Sequence, residues 1–287
     1  MSIDKLHEKI RKTKSPILVD LTMKQEHIPE AMRHKETVKE SHAQYCRELL
    51  TGLKGTVAGA RFSFDHWALM DGLSELSALM EMANSLGYYV LLDAPAMLTP
   101  WAAERAAALL DDHLGFPCHG MVADPYIGSD AIKPFLPYCK EGKSVFFAVR
   151  CPNKSASELQ DLLTGSRLVH SAATDLINRH GEPILGKCGY SQLGALSSAT
   201  NGSAVSGLRS KYGRLFLLID GLDYPGGNCR NASYGFDRFG YGCVVSIGPD
   251  ITAAWQADGG QGIDYVEMAR KAVERNISKL NRYITIL

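Results

Sequence analysis

Carboxylates that close short apolar runs are the first residues in this chain whose types and spacing could do chemistry. Asp20 ends Ile17-Leu-Val-Asp20, Asp93 ends Tyr88-Tyr-Val-Leu-Leu-Asp93, Asp124 follows Gly120-Met-Val-Ala123, and Asp220 follows Leu215-Phe-Leu-Leu-Ile219. Cations stand at comparable places: Lys24, Arg61, Arg150 and Lys187. Carboxylates and cations gathered at one site can move protons, steady developing charge or grip a small polar ligand. Each can equally cap a helix or meet solvent.

The elements that would gather them are eight short runs: 17–20, 56–58, 88–93, 120–123, 144–149, 184–188, 215–219 and 243–246. They are nearly continuous in apolar character rather than alternating, as expected of parallel strands covered on both faces. Between them lie stretches with helical periodicity, such as Leu69, Leu73, Leu76, Leu79 and Met80. Thr99-Pro100 reads as a helix start, and Ser155-Ala-Ser-Glu158 fits a capping box. No Gly-x-Gly-x-x-Gly follows the first run, so a closed (β/α)8 TIM barrel is expected rather than an open doubly wound sheet. No linker divides the chain. One domain is expected: an N-terminal helix over 1–14, the barrel over 15–250 and a C-terminal helical segment over 251–287.

The composition excludes several classes. With 31 basic and 31 acidic side chains in 287 residues, no excess positive field exists to hold a nucleic acid. An apolar fraction of 45% with no run long enough to cross a bilayer argues against a membrane chain. The charged N-terminus lacks a signal-peptide core, so a cytoplasmic protein is expected, with its seven cysteines reduced.

In a barrel of this kind the working residues sit at the carboxyl ends of the strands. Read inside the sixth run, Lys187 could point into the barrel, where desolvation would favour attack on a carbonyl; the other readings are a structural ion pair with Asp220 or Asp93, or a place at the strand end that reaches solvent. Cys151 and Cys188 near the rim have no histidine at a spacing that predicts a base. Asp93, Asp124, Asp220 and Asp223 could converge on magnesium or manganese, though their spacing is generic. No cofactor or bound metal is expected. The loop Gly226–Gly235 suits a lid or a subunit contact.

The segments Asp124-Pro-Tyr-Ile-Gly-Ser-Asp-Ala-Ile-Lys-Pro-Phe-Leu136 and Ser144-Val-Phe-Phe-Ala-Val-Arg-Cys-Pro-Asn153 resemble the bacterial type of orotidine 5′-phosphate decarboxylase. Val19-Asp20 and the stretch from Asp220-Gly221 to Pro225-Gly-Gly227 extend the likeness. The resemblance implies a ribulose-phosphate-binding type of barrel, a homodimer, and a pyrimidine nucleotide as ligand. By it, Asp20, Asp124, Tyr126, Arg150, Asp220, Gly226, Gly227 and Gly248 are expected to bind ligand, and Asp93 and Lys187 are the candidate catalytic groups.

The family's signature is an alternating Lys-Asp-Lys-Asp array whose last three members lie in Asp-x-Lys-x-x-Asp. Here that motif reads Asp93-Ala-Pro-Ala-Met-Leu98, so Pro95 replaces the lysine that protonates the carbanion and Leu98 replaces the second aspartate. The first lysine falls near Ala58, which would leave one charge of four. The arginine that ends the family's eighth strand becomes Pro249 followed by Asp250. The resulting expectation is a family member that has lost decarboxylase activity and binds a nucleotide-like or other small anionic ligand. Two alternatives stay open: a lyase, aldolase-type or metal-assisted enzyme using Asp93, Lys187 or Asp220, and an active orotidine 5′-phosphate decarboxylase.

Overall fold

Eight parallel strands close into a barrel: β1 Ile17–Asp20, β2 Gly59–Ser63, β3 Tyr89–Asp93, β4 Gly120–Ala123, β5 Ser144–Ala148, β6 Leu193–Ser198, β7 Leu217–Asp220 and β8 Cys243–Ile247. Each pairs with its neighbours in sequence, and β8 closes on β1 through Ile17 opposite Val245. The structure is a computed structural model that describes residues 1–33, 37–257 and 262–286. The fold is a (β/α)8 TIM barrel, with helices between the strands.

The strands are apolar on both faces because both are covered. Leu18, Leu91, Phe146, Leu196, Leu218 and Val244 fill the interior, while Val19, Phe62, Val90, Phe147, Leu217 and Val245 pack outward under the helices. The helix Ser2–Thr13 closes the amino-terminal end, burying Ile3, Leu6 and Ile10 completely in the interior cluster. The helix over Pro100–Ala108 begins as expected, with the Thr99 side chain accepting a hydrogen bond from the Ala102 amide. Among the described residues no helix is long and apolar enough to cross a membrane.

Two strands lie elsewhere than expected. The sixth is Leu193–Ser198, whereas residues 184–188 form a loop held by a single antiparallel bridge between Leu185 and Ser191. Leu-Gly-Ala-Leu-Ser-Ser is a poor apolar run, but small residues are what this position requires. A Cβ on Gly194 would come within 2.6 Å of both Phe146 Cδ1 and the Phe216 carbonyl, so β6 yields space to the aromatic rings beside it. The second strand begins three residues late, at Gly59, and carries an arginine. Ser155–Glu158 lies in a short 3-10 turn without a side-chain cap, and the following helix starts at Val169.

Leu6→Ala would leave a cavity under the barrel floor. Unfolding in urea should show a stability loss of about 2–5 kcal/mol; a loss below about 0.5 kcal/mol would mean that the helix does not seal the core.

Candidate functional site

At the carboxyl end of the barrel, alternate residues of β1, β2, β3, β7 and β8 turn inward, and the strands' register brings Asp20, Arg61, Asp93, Asp220 and Ser246 together. Arg61 is the hub. Its Nε donates to Asp93 Oδ1 at 2.7 Å, and its Nη1 donates to Asp220 Oδ2 at 2.9 Å and to Ser246 Oγ at 3.2 Å. Asp20 Oδ2 lies 3.5 Å from the same nitrogen. The guanidinium is 8% exposed and the three carboxylates 18–24%, so the cation is buried behind acceptors that stay partly exposed.

The protonation states follow from this packing. Burial pushes Asp93 up to about 6, despite the opposing pull of Arg61. Asp20 is raised for the same reason, with Asp220 adding like-charge repulsion. Burial alone would lower Arg61, but the three carboxylates override it and hold the guanidinium well above its ordinary value. Asp20 Oδ1 also accepts from the Thr22 amide at 2.8 Å, and Asp220 Oδ1 accepts from the Gly221 amide at 2.7 Å. The carboxylates are therefore fixed in position while keeping lone pairs for a ligand.

Arg61 brings a cation to the mouth from β2, the strand near whose end the resemblance placed the family's first lysine. The sequence reading put that position near Ala58 and did not connect it with Arg61, whose signal was a lone arginine flanked by Ala60 and Phe62. Pro95 is half-buried, and Leu98 is 83% exposed. Neither brings charge to the mouth.

Lys187 requires a correction. It lies on the 184–188 loop rather than on a strand, is exposed, and lines a cavity at the opposite end of the barrel with Met1, Asp4 and His119. Next to it, the Cys188 amide donates to Asp4 Oδ1 at 2.8 Å. It meets neither Asp93 nor Asp220, so a lysine nucleophile within the barrel is excluded at this position.

The other expected ligand groups are spread around the rim. Arg150 is buried and spent on a bidentate pair with Asp161, at 3.0 Å for both contacts. Asp124 is exposed and accepts from the Tyr126 amide at 2.6 Å, while the Tyr126 hydroxyl donates to the Val149 carbonyl. Gly226 has φ +91°, and a Cβ on Gly227 would sit 2.0 Å from the Gly221 carbonyl, so this turn accepts only glycine. The Gly227 amide is used within that turn, donating to the Tyr224 carbonyl.

The Gly248 amide, expected to face a ligand anion, instead donates to Asp223 Oδ2 at 2.7 Å. Asp223 was expected only as a possible metal ligand. Its Oδ1 is buried without a hydrogen-bond partner, and burial, with repulsion from Asp250, Asp220 and Asp20, pushes its carboxyl up to about 7. Among the described residues no group of three or more His, Cys, Asp or Glu is arranged to hold a metal ion, so Asp93, Asp124, Asp220 and Asp223 do not converge as a ligand set. All seven cysteines are unpaired, and burial raises the Cys188 thiol to about 11.

No protein-family model matches the chain. It is similar to orotidine 5′-phosphate decarboxylases of known sequence: 25% identical to that of Clostridium novyi over 285 residues, 98% of either chain. It is 28% identical to that of Clostridium kluyveri over 94% of either chain, and 31% identical to that of Petrotoga mobilis over 52% of this chain and 53% of the relative. Among solved structures, the orotidine monophosphate decarboxylase of Leishmania donovani superposes with a TM-score of 0.74 at 22% identity, covering 98% of both chains. The Plasmodium berghei enzyme superposes with a TM-score of 0.74 at 11% identity, over 98% of this chain and 100% of that one. At such identities the structural likeness carries the fold alone.

Arg61→Met would leave three carboxylates facing one another. The loss of stability at pH 8 should be about 3–5 kcal/mol and should shrink toward pH 5, where the carboxyls take up protons; a loss of equal size at both pH values would refute the charge cluster. Asp223 titrates near 7 when folded, against an ordinary value of 3.8, so its proton stabilises the fold fully below about 4 and that contribution is lost as pH rises through about 7. Asp223→Asn should therefore melt higher relative to the wild type at pH 8 than at pH 5. Each kcal/mol corresponds to about 2–4 °C in a chain of this size, and a pH-independent difference in melting temperature would contradict the assignment.

Proposed function

We propose that this chain, a divergent member of the orotidine 5′-phosphate decarboxylase family, binds a small nucleotide-like ligand at the barrel mouth and does not carry out the family's decarboxylation. The observation that carries the reading is the identity of the cation beside Asp93: it is an arginine, and all its short contacts are to carboxylates and a serine.

Decarboxylation leaves a carbanion that must be stabilised and then protonated. An ammonium group can do both. A guanidinium is a poor proton donor at any physiological pH, and here three carboxylates raise its pKa further. Pro95 has no proton to give. Asp93 near pH 6 could hold a proton, but its immediate partner is Arg61 rather than a second acid.

Ligand binding is another matter. Asp20 and Asp220 keep unfilled acceptor positions at the mouth, and a pair of fixed carboxylates suits the hydroxyl donors of a sugar. A second reading, acid–base chemistry of another kind at Asp93, is favoured by that group's displacement toward neutrality. It no longer includes Lys187.

The test mixes purified protein with orotidine 5′-phosphate, follows its ultraviolet absorbance, and runs thermal melts with uridine and uridine monophosphate. No turnover is expected, together with stabilisation by uridine monophosphate of about 2.7 kcal/mol at a hundred times its dissociation constant. Turnover abolished by Asp93→Asn would overturn the loss of activity, and absence of any stabilisation by either compound would overturn the ligand class.

A further inference from the structure

A cavity of about 810 Å³ opens on the flank of the barrel mouth, between the turn after β7, the residues after β8 and the last long helix, Tyr265–Leu280. Three cations line it: Arg230, Lys279 and Arg282. None of the three side chains makes an ion pair or a hydrogen bond among the described residues, although most other buried or clustered charges here are paired. The two acids in the wall are already engaged. Asp250 takes Arg275 at 3.1 Å and Asn276 at 2.7 Å, and Asp223 takes the Gly248 amide.

Local structure accounts for only one of these cations. Lys279 lies in the last turn of its helix, where the dipole favours positive charge. Arg230 lies in the five-residue helix Cys229–Ser233, too short to give it a dipole preference either way. Lys279 and Arg282 both oppose the burial that raises the Cys229 thiol, while Asp250 adds to it. Three cations against two acids leave the lining with net positive charge, which a bound anion would offset.

We infer that this flank cavity binds a phosphoryl group, held by Arg230, Lys279 and Arg282 rather than by amides at the end of β8. The Gly248 amide cannot serve, because Asp223 occupies it; the eighth strand's exit brings Pro249 and Asp250 instead of a cation. A tetrahedral dianion with several acceptor oxygens matches three separate donors carrying positive charge. The cavity is large enough for a phosphorylated small molecule rather than a lone ion. It also adjoins the mouth: a Cβ on Gly248 would lie 3.6 Å from both Asp20 Cβ and Asp223 Oδ2, so one residue separates the flank from the carboxylate cluster.

The proposal stands apart from nucleotide binding at the mouth, and its probe is inorganic pyrophosphate, measured by titration calorimetry on the whole chain. Pyrophosphate should bind the wild type, and Arg230→Ser/Arg282→Ser should weaken it by at least about tenfold with the melting temperature unchanged, since both side chains are exposed. No binding at millimolar pyrophosphate, or equal binding by the double variant, would overturn it. Displacement of pyrophosphate by uridine monophosphate but not by uridine would make the occupant the nucleotide's own phosphate. Binding indifferent to both would make it a separate phosphorylated ligand; either result upholds the site. Failure of uridine compounds to stabilise the protein would sink the mouth reading alone.

Discussion

A buried cation must be compensated, and Arg61 is compensated three times over. One guanidinium against Asp20, Asp93 and Asp220 leaves two excess negative charges when every group is ionised. Burial is the main cause of the upward displacement of Asp93 and Asp20, and repulsion among the carboxylates adds to it. The mouth therefore tends to hold a proton, and it discourages any anion from entering beside Arg61. A lysine in the same place would be a compact charge that could give up its proton; the planar fork of arginine binds two carboxylates at once and keeps every proton. An arginine therefore gives the mouth a cation that does not release its proton.

The barrel makes this cluster possible by holding its members on separate strands. Residues directly below the charged ring, among them Leu18, Leu91, Leu218 and Val244, are large and fully buried, so water cannot reach Arg61 from beneath. Gly194 lets the Phe146 and Phe216 rings settle into the same interior. Rigid apolar packing under the ring holds the carboxylates in their geometry.

Much of this was legible in the sequence and some was not, for identifiable reasons. Six of the eight strands announce themselves because Val, Leu, Ile and Phe dominate them. Strand β6 does not, since its glycine, alanine and serines exist to accommodate neighbours that a one-dimensional reading cannot see. Missing it promoted Ile184–Cys188 to a strand and carried Lys187 into the barrel with it. In β2 the run was ended at Ala58, before Gly59, so Arg61 was noted as a cation without being placed on an inward-facing strand position. Asp20, Asp93 and Asp220 were found because a carboxylate after an apolar run is a visible break. Asp223 lacked that signal: its position depends on a backbone amide 25 residues away.

The negative mouth and the positive flank are parts of one electrostatic arrangement. Asp223 stands between them, bonded to the backbone at the exit of β8 and raised toward neutrality by burial and, after it, by the acids around it. An internal carboxylate on that amide removes the simplest place for a phosphate, so any phosphoryl group must go outward, toward Arg230, Lys279 and Arg282. Donors of sugar hydroxyls fit the opposite side, against Asp20 and Asp220. A ligand polar in this sense, neutral donor at one end and anion at the other, would meet complementary charge at both, whereas a substrate with a second anionic group over Asp93 would meet repulsion there. On the proposed reading, the fields that discourage a carboxylate-bearing substrate from sitting beside Asp93 would still admit its decarboxylated counterpart.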